Sequence, residues 1–403
     1  MVPTSLAARL PARRWPWWLQ VLAVYGVTRL VSTAVFLFAA RGQPVSYWAA
    51  GQPDYATFVA QFWDGAWYRL IAEYGYPAEL PLDVDGSVSQ NAWAFFPLYP
   101  ALVRAVMLVS GAPWQVAAPA LSLALGAGAM LLLDRLIQRH QDSRGERGRR
   151  VALGSVLLVG LFPAAAAMQA AYTESLALFL VLLCLWLLGS RRYLTAIPVV
   201  VALGFTRAVA LPMLVVVLGH LWLRWRRARA DGRRLPRADV LRVGALAAAA
   251  GVAGLAWPAV VALATGEPDA YVATQSAWRG SFSSAPLVPW FQMAGHLIGD
   301  AGMLVLLLTV LVVVGAAASR PAGAAGPEAR IWGVAYVGYL LLVAFPQSSI
   351  VRFLLLAFTI PVAAAALARS RWQLCLLAAV SAAGQLAWVL WVWQLTESTG
   401  WPP

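Results

Sequence analysis

The sequence contains no lysine and only two cysteines, and charged residues make up 12% of its 403 residues. Soluble domains carry about twice that share of charge. Cys184 and Cys375 both lie inside apolar runs, which argues against a disulfide framework and against a cysteine metal site. The patterns G-x-G-x-x-G and G-x-x-x-x-G-K-[ST] are also absent, which excludes the usual glycine-rich phosphate cradles. These absences argue against a soluble nucleotide-dependent enzyme.

Apolar residues take the place of the missing charge. The chain is 61% hydrophobic, has a mean hydropathy of +0.70 and contains 20 tryptophans. Many of its apolar stretches approach or exceed the roughly 20 residues that a helix needs to cross a bilayer. The sequence therefore predicts an all-α, polytopic integral membrane protein, with residues 1–403 forming one membrane-embedded domain.

The basic residues indicate how the chain is threaded through the membrane. The formal net charge of the chain is +13, and its arginines are concentrated in short loops between apolar spans. This is the positive-inside pattern of membrane proteins and is not typical of nucleic-acid binding. Loops 138–150 and 224–242 are predicted to be cytoplasmic. Loop 41–94 carries two arginines against six acids and is predicted to be the first extracytoplasmic loop. Residues 265–295 form the second.

The N-terminal segment is predicted to be an uncleaved first span. Arg9, Arg13 and Arg14 precede an apolar run over 17–40, which is too long for a signal-peptide core. This places the N-terminus in the cytoplasm. Threading the remaining spans gives about 11 transmembrane helices. The segment 95–110 is short and proline-punctuated, so it is predicted to be interfacial or re-entrant, and the C-terminal TESTGWPP is predicted outside.

One straight span over residues 193–223 would place the arginine-rich loop 224–242 outside, which contradicts the positive-inside rule. A broken hairpin of two short helices, over 193–205 and 208–223, resolves it. Thr206 and Arg207 would lie at its apex, within the membrane or near its outer face. Half-length helices are tolerated where their backbone lines a protein cavity.

The same threading gathers the unusual polar residues near the outer face. They are Asp64, Glu174, Arg207, Gln275, Arg279 and Arg352. Ionisable groups inside a membrane are costly and are functional candidates by default. A purely structural salt bridge between Glu174 and Arg207 is the alternative. The three histidines are scattered, so no metal site is predicted.

Asp64 lies within the aromatic segment QFWDGAWYRLIAEYGYP, and residues 59–76 are predicted to form an amphipathic helix. An interfacial aromatic belt explains the tryptophans but not the acid. A carboxylate beside apolar rings has a raised pKa, which suits a general base near neutral pH. Asp64 is therefore the first candidate for catalysis.

Four segments in this order resemble the PIG-V-type mannosyltransferase family, a branch of the GT-C membrane glycosyltransferases. They are FWDGAWYRLIAEYGYP, AFFPLYP, AYTESLALFL and GFTRAVALP. The resemblance covers roughly residues 15–225 and is thinner beyond, at AYVATQSAWRG and IVRFLLLAFTIP. The aspartate of the family's first lumenal loop corresponds to Asp64. The short, arginine-only loops depart from the eukaryotic pattern and indicate a bacterial member.

The resemblance implies a GT-C-like fold and transfer of mannose from a polyprenyl-phosphate donor to an acceptor hydroxyl on the extracytoplasmic face, with inversion. Asp64 would be the general base, and Glu174 a second acid, a holder of Arg207 or a group that orients the acceptor. Arg207, Arg352 and Arg104 are candidates for binding the donor phosphate. Candidates for substrate binding are Trp63, Trp67, Tyr68, Tyr99, Tyr172 and Gln275.

The expected partners are membrane lipid, the lipid-linked donor, and a glycolipid, lipoglycan or protein acceptor, with no cofactor required and no nucleic acid. Two other readings stay open. A transporter or flippase of lipid-linked sugars would also use broken helices and buried arginines. A noncatalytic subunit of a glycosyltransferase complex would keep the fold without the reaction.

Overall fold

A computed structural model describes residues 15–45, 51–141, 145–279 and 285–395. Within these ranges the chain is helical, apart from turns and one isolated bridge between Leu82 and Val88. The predicted all-α class is confirmed. The N-terminal arginines Arg9, Arg13 and Arg14 and the C-terminal segment 396–403 lie outside the described residues, so the predicted positions of both termini stay predictions.

The helices follow one another through the described ranges. They are α1 (Trp17–Arg41), α2 (Tyr55–Ala60), α3 (Asp64–Tyr74), α4 (Leu98–Ser110), α5 (Trp114–His140), α6 (Glu146–Gly160), α7 (Glu174–Gly189), α8 (Tyr193–Gly204), α9 (Ala210–Ala230), α10 (Arg237–Thr265), α11 (Ala270–Arg279), α12 (Val288–Ile298), α13 (Gly302–Ala318), α14 (Pro327–Val343), α15 (Ile350–Phe353), α16 (Thr359–Leu367) and α17 (Arg371–Trp388).

Several helices are long and apolar enough to cross a membrane. In the described part of the chain there are five such spans, namely Trp17–Arg41, Trp114–His140, Arg237–Thr265, Val288–Ala318 and Arg371–Trp393. A sixth is present if Ile350–Leu356 and Thr359–Leu367, bent by 70°, form one span. The chain is thus a multi-pass membrane protein. The count of about 11 crossings would require the shorter helices to span as well, and it stays a prediction.

The predicted broken hairpin is present as α8 and α9. The Tyr193 hydroxyl lies 3.2 Å from His220 Nε2 and accepts a hydrogen bond from Arg224 at 2.6 Å, so the start of α8 lies beside the end of α9. The chain turns between the two helices at residues 205–209. Thr206 and Arg207 therefore lie at the apex, as the charge pattern predicted.

Gly204, at the end of α8, packs directly against α10. A Cβ atom here would overlap the carbonyl oxygen of Ala253, which is backbone and cannot move aside. We expect Gly204→Ala to lower the free energy of unfolding by about 1–3 kcal/mol through this overpacking. Thermal unfolding in detergent measures the change. Gly244→Ala on α10, where the added methyl meets nothing within 4 Å, is the control and should be neutral or stabilising. Equal effects at both sites would contradict the packing account.

One end of the bundle is rich in arginine, and we call it the arginine-rich face. It brings together the end of α5, the start of α6, the end of α7, the loop between α9 and α10 and the start of α14. Arg149 pairs with Asp134 at 2.7 Å, and His220 lies 2.8 Å from Glu328. Arg139 Nη2 donates to Ser190 Oγ at 3.0 Å. The arginine loops separated along the sequence thus share one face of the molecule.

The prediction of one amphipathic helix over residues 59–76 is wrong, because this segment is divided between two helices, α2 and α3. The break falls between α2 and α3 because Trp63 has φ 56°, a left-handed conformation that ends regular helix. The Trp114 indole donates to the carbonyl of Ala60 at 2.7 Å and ties the loop to α5. Leu70, expected on the apolar face, is 42% exposed.

Candidate active site

Asp64 is the first residue of α3, and its backbone is fixed from several directions. The indole of the preceding Trp63 donates to the carbonyl of Trp393 at 2.7 Å. The Asp64 amide donates to the Tyr172 hydroxyl at 3.2 Å. Gly65 packs so closely that a Cβ would lie 2.8 Å from the carbonyl oxygen of Ala60. These contacts hold the Asp64 carboxylate at a defined place at the start of a helix.

Glu174 is the first residue of α7 and is fully buried. A helix N-terminus favours a negative charge, which lowers the cost of burying this carboxylate. Its Oε1 atom accepts hydrogen bonds from two guanidinium groups, those of Arg207 and Arg352, the latter at 3.0 Å. Arg207 also donates to Thr173 Oγ1 at 3.2 Å.

Asp64 joins the same network through Arg352. The Nη1 atom of Arg352 lies 2.8 Å from Asp64 Oδ2 and 3.0 Å from Glu174 Oε1. Carboxylates and guanidinium groups therefore alternate in the order Asp64, Arg352, Glu174, Arg207, and their four formal charges balance. The structural salt bridge between Glu174 and Arg207 that the sequence left open is present, and it forms one link of this larger network.

Aromatic rings enclose the two arginines. The Arg352 guanidinium lies 4.8 Å from the Tyr172 ring centroid and 5.2 Å from that of Phe353. The Arg207 guanidinium lies 4.7 Å from the centroid of the same Phe353 ring. Cation–π contacts of this kind stabilise a partly desolvated guanidinium without neutralising it. Both groups keep their positive charge, which the carboxylates of Asp64 and Glu174 balance.

Some buried polar atoms at the network are unsatisfied. In the described part of the chain, Glu174 Oε2, Arg352 Nε and Ser349 Oγ have no hydrogen-bond partner. Buried polar groups are nearly always hydrogen-bonded in native proteins. Three such atoms close together at one place indicate a site that a ligand or ordered water completes.

A cavity of about 360 Å³ opens from this network, and we call it the site cavity. Asp64, Arg207 and Arg352 contribute charged groups to its wall, and aromatic side chains including Phe95 and Trp278 contribute flat surfaces. Another part of the wall is apolar and comes from α10 and α14. Ligand pockets typically combine a largely apolar wall with a few convergent polar groups.

Burial raises the pKa of the Asp64 carboxyl, and the neighbouring charge of Glu174 raises it further, whereas the guanidinium groups of Arg352 and Arg207 oppose the shift. Burial outweighs the arginines, so the pKa lies above the ordinary aspartate range. A carboxylate with a raised pKa is a better proton acceptor than a free aspartate. The salt bridge to Arg352 is made by Asp64 Oδ2, and 15% of the Asp64 side-chain surface is exposed.

The structure brings most of the sequence-predicted residues to one place. Asp64, Tyr68, Arg207, Gln275 and Arg352 line the site cavity. Glu174 and Tyr172 lie behind this wall and contact its charged groups. Trp67 packs against the wall, stacked on Phe95 with 5.6 Å between ring centroids. The catalytic and binding roles assigned to these residues stay predictions.

Three candidates lie apart from the site cavity. Trp63 uses its indole in the structural bond to Trp393. Tyr99 is fully buried and donates to the carbonyl of Ala118 at 3.0 Å. Arg104 donates to the carbonyls of Ala72 and Glu73 at the end of α3. Each of these groups is bound to a structural partner, and none of the three lines the site cavity.

Arg279, one of the polar residues expected near the outer face, also lines the site cavity. Other residues of the wall were not predicted, and they are Tyr271, Trp278, Tyr336, Tyr339 and Ser349. Tyr336 and Tyr339 are three residues apart on α14, and this spacing puts them on one helix face. That signal was present in the sequence. Within the described residues, no three His, Cys, Asp or Glu side chains are grouped closely enough to hold a metal ion.

The fold of the chain is similar to that of known proteins, although its sequence matches none of the known families. No protein-family model matches the chain, and no curated protein matches it. Among solved structures the chain is similar to ArnT from Cupriavidus metallidurans bound to undecaprenyl phosphate, with a TM-score of 0.52 and 18% identity. The match covers 95% of this chain and 66% of ArnT. The chain thus spans just under two thirds of the length of ArnT.

A second solved structure is an Archaeoglobus fulgidus oligosaccharyltransferase tethered to an acceptor peptide containing the NVT sequon. Its TM-score is 0.46 and its identity 11%, over 93% of this chain and 55% of that one. The fold rests on the similarity to ArnT, and the resemblance to the PIG-V-type family stays a prediction. The chain is a multi-pass membrane protein with a GT-C-like fold.

Proposed function

We propose that the protein transfers a mannosyl residue from a polyprenyl-phosphate donor to an acceptor hydroxyl on the extracytoplasmic face. The observation that carries this proposal is the network of Asp64, Arg352, Glu174 and Arg207 at the wall of the site cavity. In the reaction the acceptor oxygen bonds to the anomeric carbon while the bond from that carbon to the phosphate oxygen breaks. The hydroxyl proton goes to Asp64, and polyprenyl phosphate leaves.

Asp64 suits the role of base by its geometry and its environment. Arg352 holds Oδ2, which fixes the carboxylate and leaves Oδ1 for the acceptor hydroxyl. The raised pKa strengthens the carboxylate as a proton acceptor. Attack from the face opposite the phosphate gives inversion of configuration in a single displacement.

Arg207 and Arg352 suit the donor phosphate. Charge develops on the phosphate as the glycosidic bond breaks, and preorganised guanidinium groups stabilise such charge in a site that excludes water. Glu174 keeps both arginines in place through one oxygen. We assign it the role of a positioning residue. Arg104 lies outside the site cavity and has no part in this mechanism.

The position of the site cavity supports a lipid-linked donor. ArnT, which has a similar fold, was solved with undecaprenyl phosphate. The arginine-rich face lies at the opposite end of α7 and α8 from Glu174 and Arg207. If this face is cytoplasmic by the positive-inside rule, the cavity opens on the extracytoplasmic side. The apolar wall between α10 and α14 would then accommodate the start of the polyprenyl chain.

This mechanism has consequences for the cofactor and the acceptor of the reaction. No cofactor or metal is required, because the phosphate is itself a good leaving group. The acceptor is a glycolipid, a lipoglycan or a protein. A threading with about 11 crossings, counting the short helices, is consistent with the arginine-rich face on one side and the site cavity on the other.

The test uses purified protein in proteoliposomes with polyprenyl-phosphate mannose labelled in the sugar and an envelope-lipid extract as acceptor. We expect release of polyprenyl phosphate that depends on the acceptor, with the label transferred to it. The corresponding glucose-linked donor should react more slowly. Movement of intact donor across the bilayer without release would contradict the proposal in favour of a transporter. Donor binding with neither release nor movement would favour a noncatalytic subunit.

A further inference from the structure

A second cavity lies at the arginine-rich face, distant from the proposed catalytic groups. Its volume is about 540 Å³, and its walls come from the start of α1, the last turns of α5, the start of α6 and the end of α7. Trp186 on this wall lies on the same helix as Glu174, roughly 18 Å further along its axis at 1.5 Å per residue. We call this cavity the basic pocket.

Arginine outnumbers acid in the basic pocket. Arg135, Arg139 and Arg149 line it together with one carboxylate, that of Asp134. Asp134 is buried and pairs with Arg149 at 2.7 Å, which neutralises one guanidinium. Arg149 is also hydrogen-bonded to Gln20 and to the carbonyl of Trp17. The positive charge that remains belongs to Arg135 and Arg139.

These two arginines are held by rings instead of by acids. The Arg135 guanidinium lies 4.1 Å from the Trp17 ring centroid, and that of Arg139 lies 4.5 Å from the Trp186 ring. Arg139 donates to Ser190 Oγ at the end of α7, which is a neutral partner. Within the described residues neither arginine forms a salt bridge, although the charge of Arg135 acts on the neighbouring Asp134 carboxylate. A cation held over an indole keeps its charge and its free N–H groups for an anion.

The location indicates where that anion comes from. The basic pocket lies where α1 and α5, both long enough to span a membrane, reach the arginine-rich face. Tryptophans are enriched at the level of the lipid headgroups, and Trp17 and Trp186 form two walls of this pocket. Basic pockets between membrane helices are suited to anionic headgroups.

We propose that the basic pocket binds the phosphate headgroup of an anionic membrane phospholipid, held between Arg135 and Arg139 and flanked by Trp17 and Trp186. This site is independent of the proposed glycosyl transfer. The lipid would bridge α1, α5 and α7 at the end opposite the site cavity. Occupancy is therefore expected to stabilise the packing of these helices.

The test is native mass spectrometry of the purified protein in detergent with added phosphatidylglycerol or phosphatidylcholine. The variants are the pair Arg135→Gln with Arg139→Gln, and the single change Arg135→Gln, whose guanidinium donates to no described residue. The matched control is the pair Arg226→Gln with Arg229→Gln. These arginines also lie over indoles, those of Trp222 at 4.9 Å and Trp225 at 5.4 Å, but they do not line the pocket.

We expect wild type and control pair to retain phosphatidylglycerol in preference to phosphatidylcholine, and the pocket pair to bind it roughly tenfold more weakly or worse. The single variant should be intermediate, and it decides the question if the pair does not fold. Equal retention by all proteins, or no preference between the two lipids in wild type, would overturn the proposal. Displacement of the lipid by millimolar inorganic phosphate would assign the site to a free anion instead.

Discussion

Asp64→Asn is expected to lower the rate of sugar transfer by a factor on the order of 10²–10⁴, the usual contribution of a general base. Asparagine has nearly the same shape and keeps an oxygen for Arg352, but its amide cannot take up the acceptor proton. Arg207 and Arg352 remain in place, so donor binding should persist. Release of polyprenyl phosphate at saturating donor measures the rate, and binding of labelled donor is measured on the same sample.

Asp83→Asn is the matched control, because Asp83 is exposed in the same loop and lies outside the site cavity. It should react at the wild-type rate. If Asp64→Asn also reacts at that rate, Asp64 is not the base. If it loses donor binding together with turnover, the residue acts in binding, and the proposed division of roles between acid and arginines is wrong.

The pH dependence of transfer gives a second readout of the same variant. The base must be ionised, so kcat/KM should rise with pH through the pKa of Asp64. Burial raises that pKa, so the acid limb of the profile should lie above the value of about 4 expected of a free aspartate. The residual activity of Asp64→Asn should lack this limb. An unchanged limb in the variant would assign it to another group.

Glu174→Gln is expected to lower the free energy of unfolding by about 3–5 kcal/mol, the usual result of removing one partner of a buried ion pair. One oxygen of this buried carboxylate binds two guanidinium groups, and the amide would leave both without their shared charge. Thermal unfolding in detergent measures the loss. Glu73→Gln, which breaks a partly exposed pair with Arg69 one turn apart on α3, is the control and should cost about 0.3–0.5 kcal/mol.

A double-mutant cycle separates this electrostatic effect from general disruption. Arg352 keeps Asp64 as a partner in Glu174→Gln, whereas Arg207 loses its carboxylate. Adding Arg207→Gln removes this unpaired cation, so the double variant should be more stable than the sum of the single effects predicts. Strict additivity would show that Glu174 and Arg207 are not coupled, and the ion pair would then contribute little to the fold. Glu174→Gln and the double variant should both lose transfer activity. Glu174 positions Arg207, and Arg207 faces the proposed donor phosphate.

The sequence by itself determined the class of the protein and part of its site. The all-helical membrane architecture follows from hydropathy along the chain, which local composition controls. The hairpin of α8 and α9, with Thr206 and Arg207 at its apex, followed from the arginine pattern of the flanking loops. Asp64 was identifiable because a lone acid in an aromatic run is costly and needs a reason.

Only the tertiary structure decided which groups meet. Arg352 lies far from Asp64 and Glu174 in sequence, and no local pattern shows that its guanidinium contacts both. Trp63 and Tyr99 belong to the motifs that pointed to the site, and Arg104 follows one of them, yet the side chains of all three have structural partners elsewhere. The direction of a side chain depends on where its helix starts and what packs beside it, as the helix break at Trp63 illustrates. These long-range contacts, and not composition, join two acids and two arginines at one cavity wall.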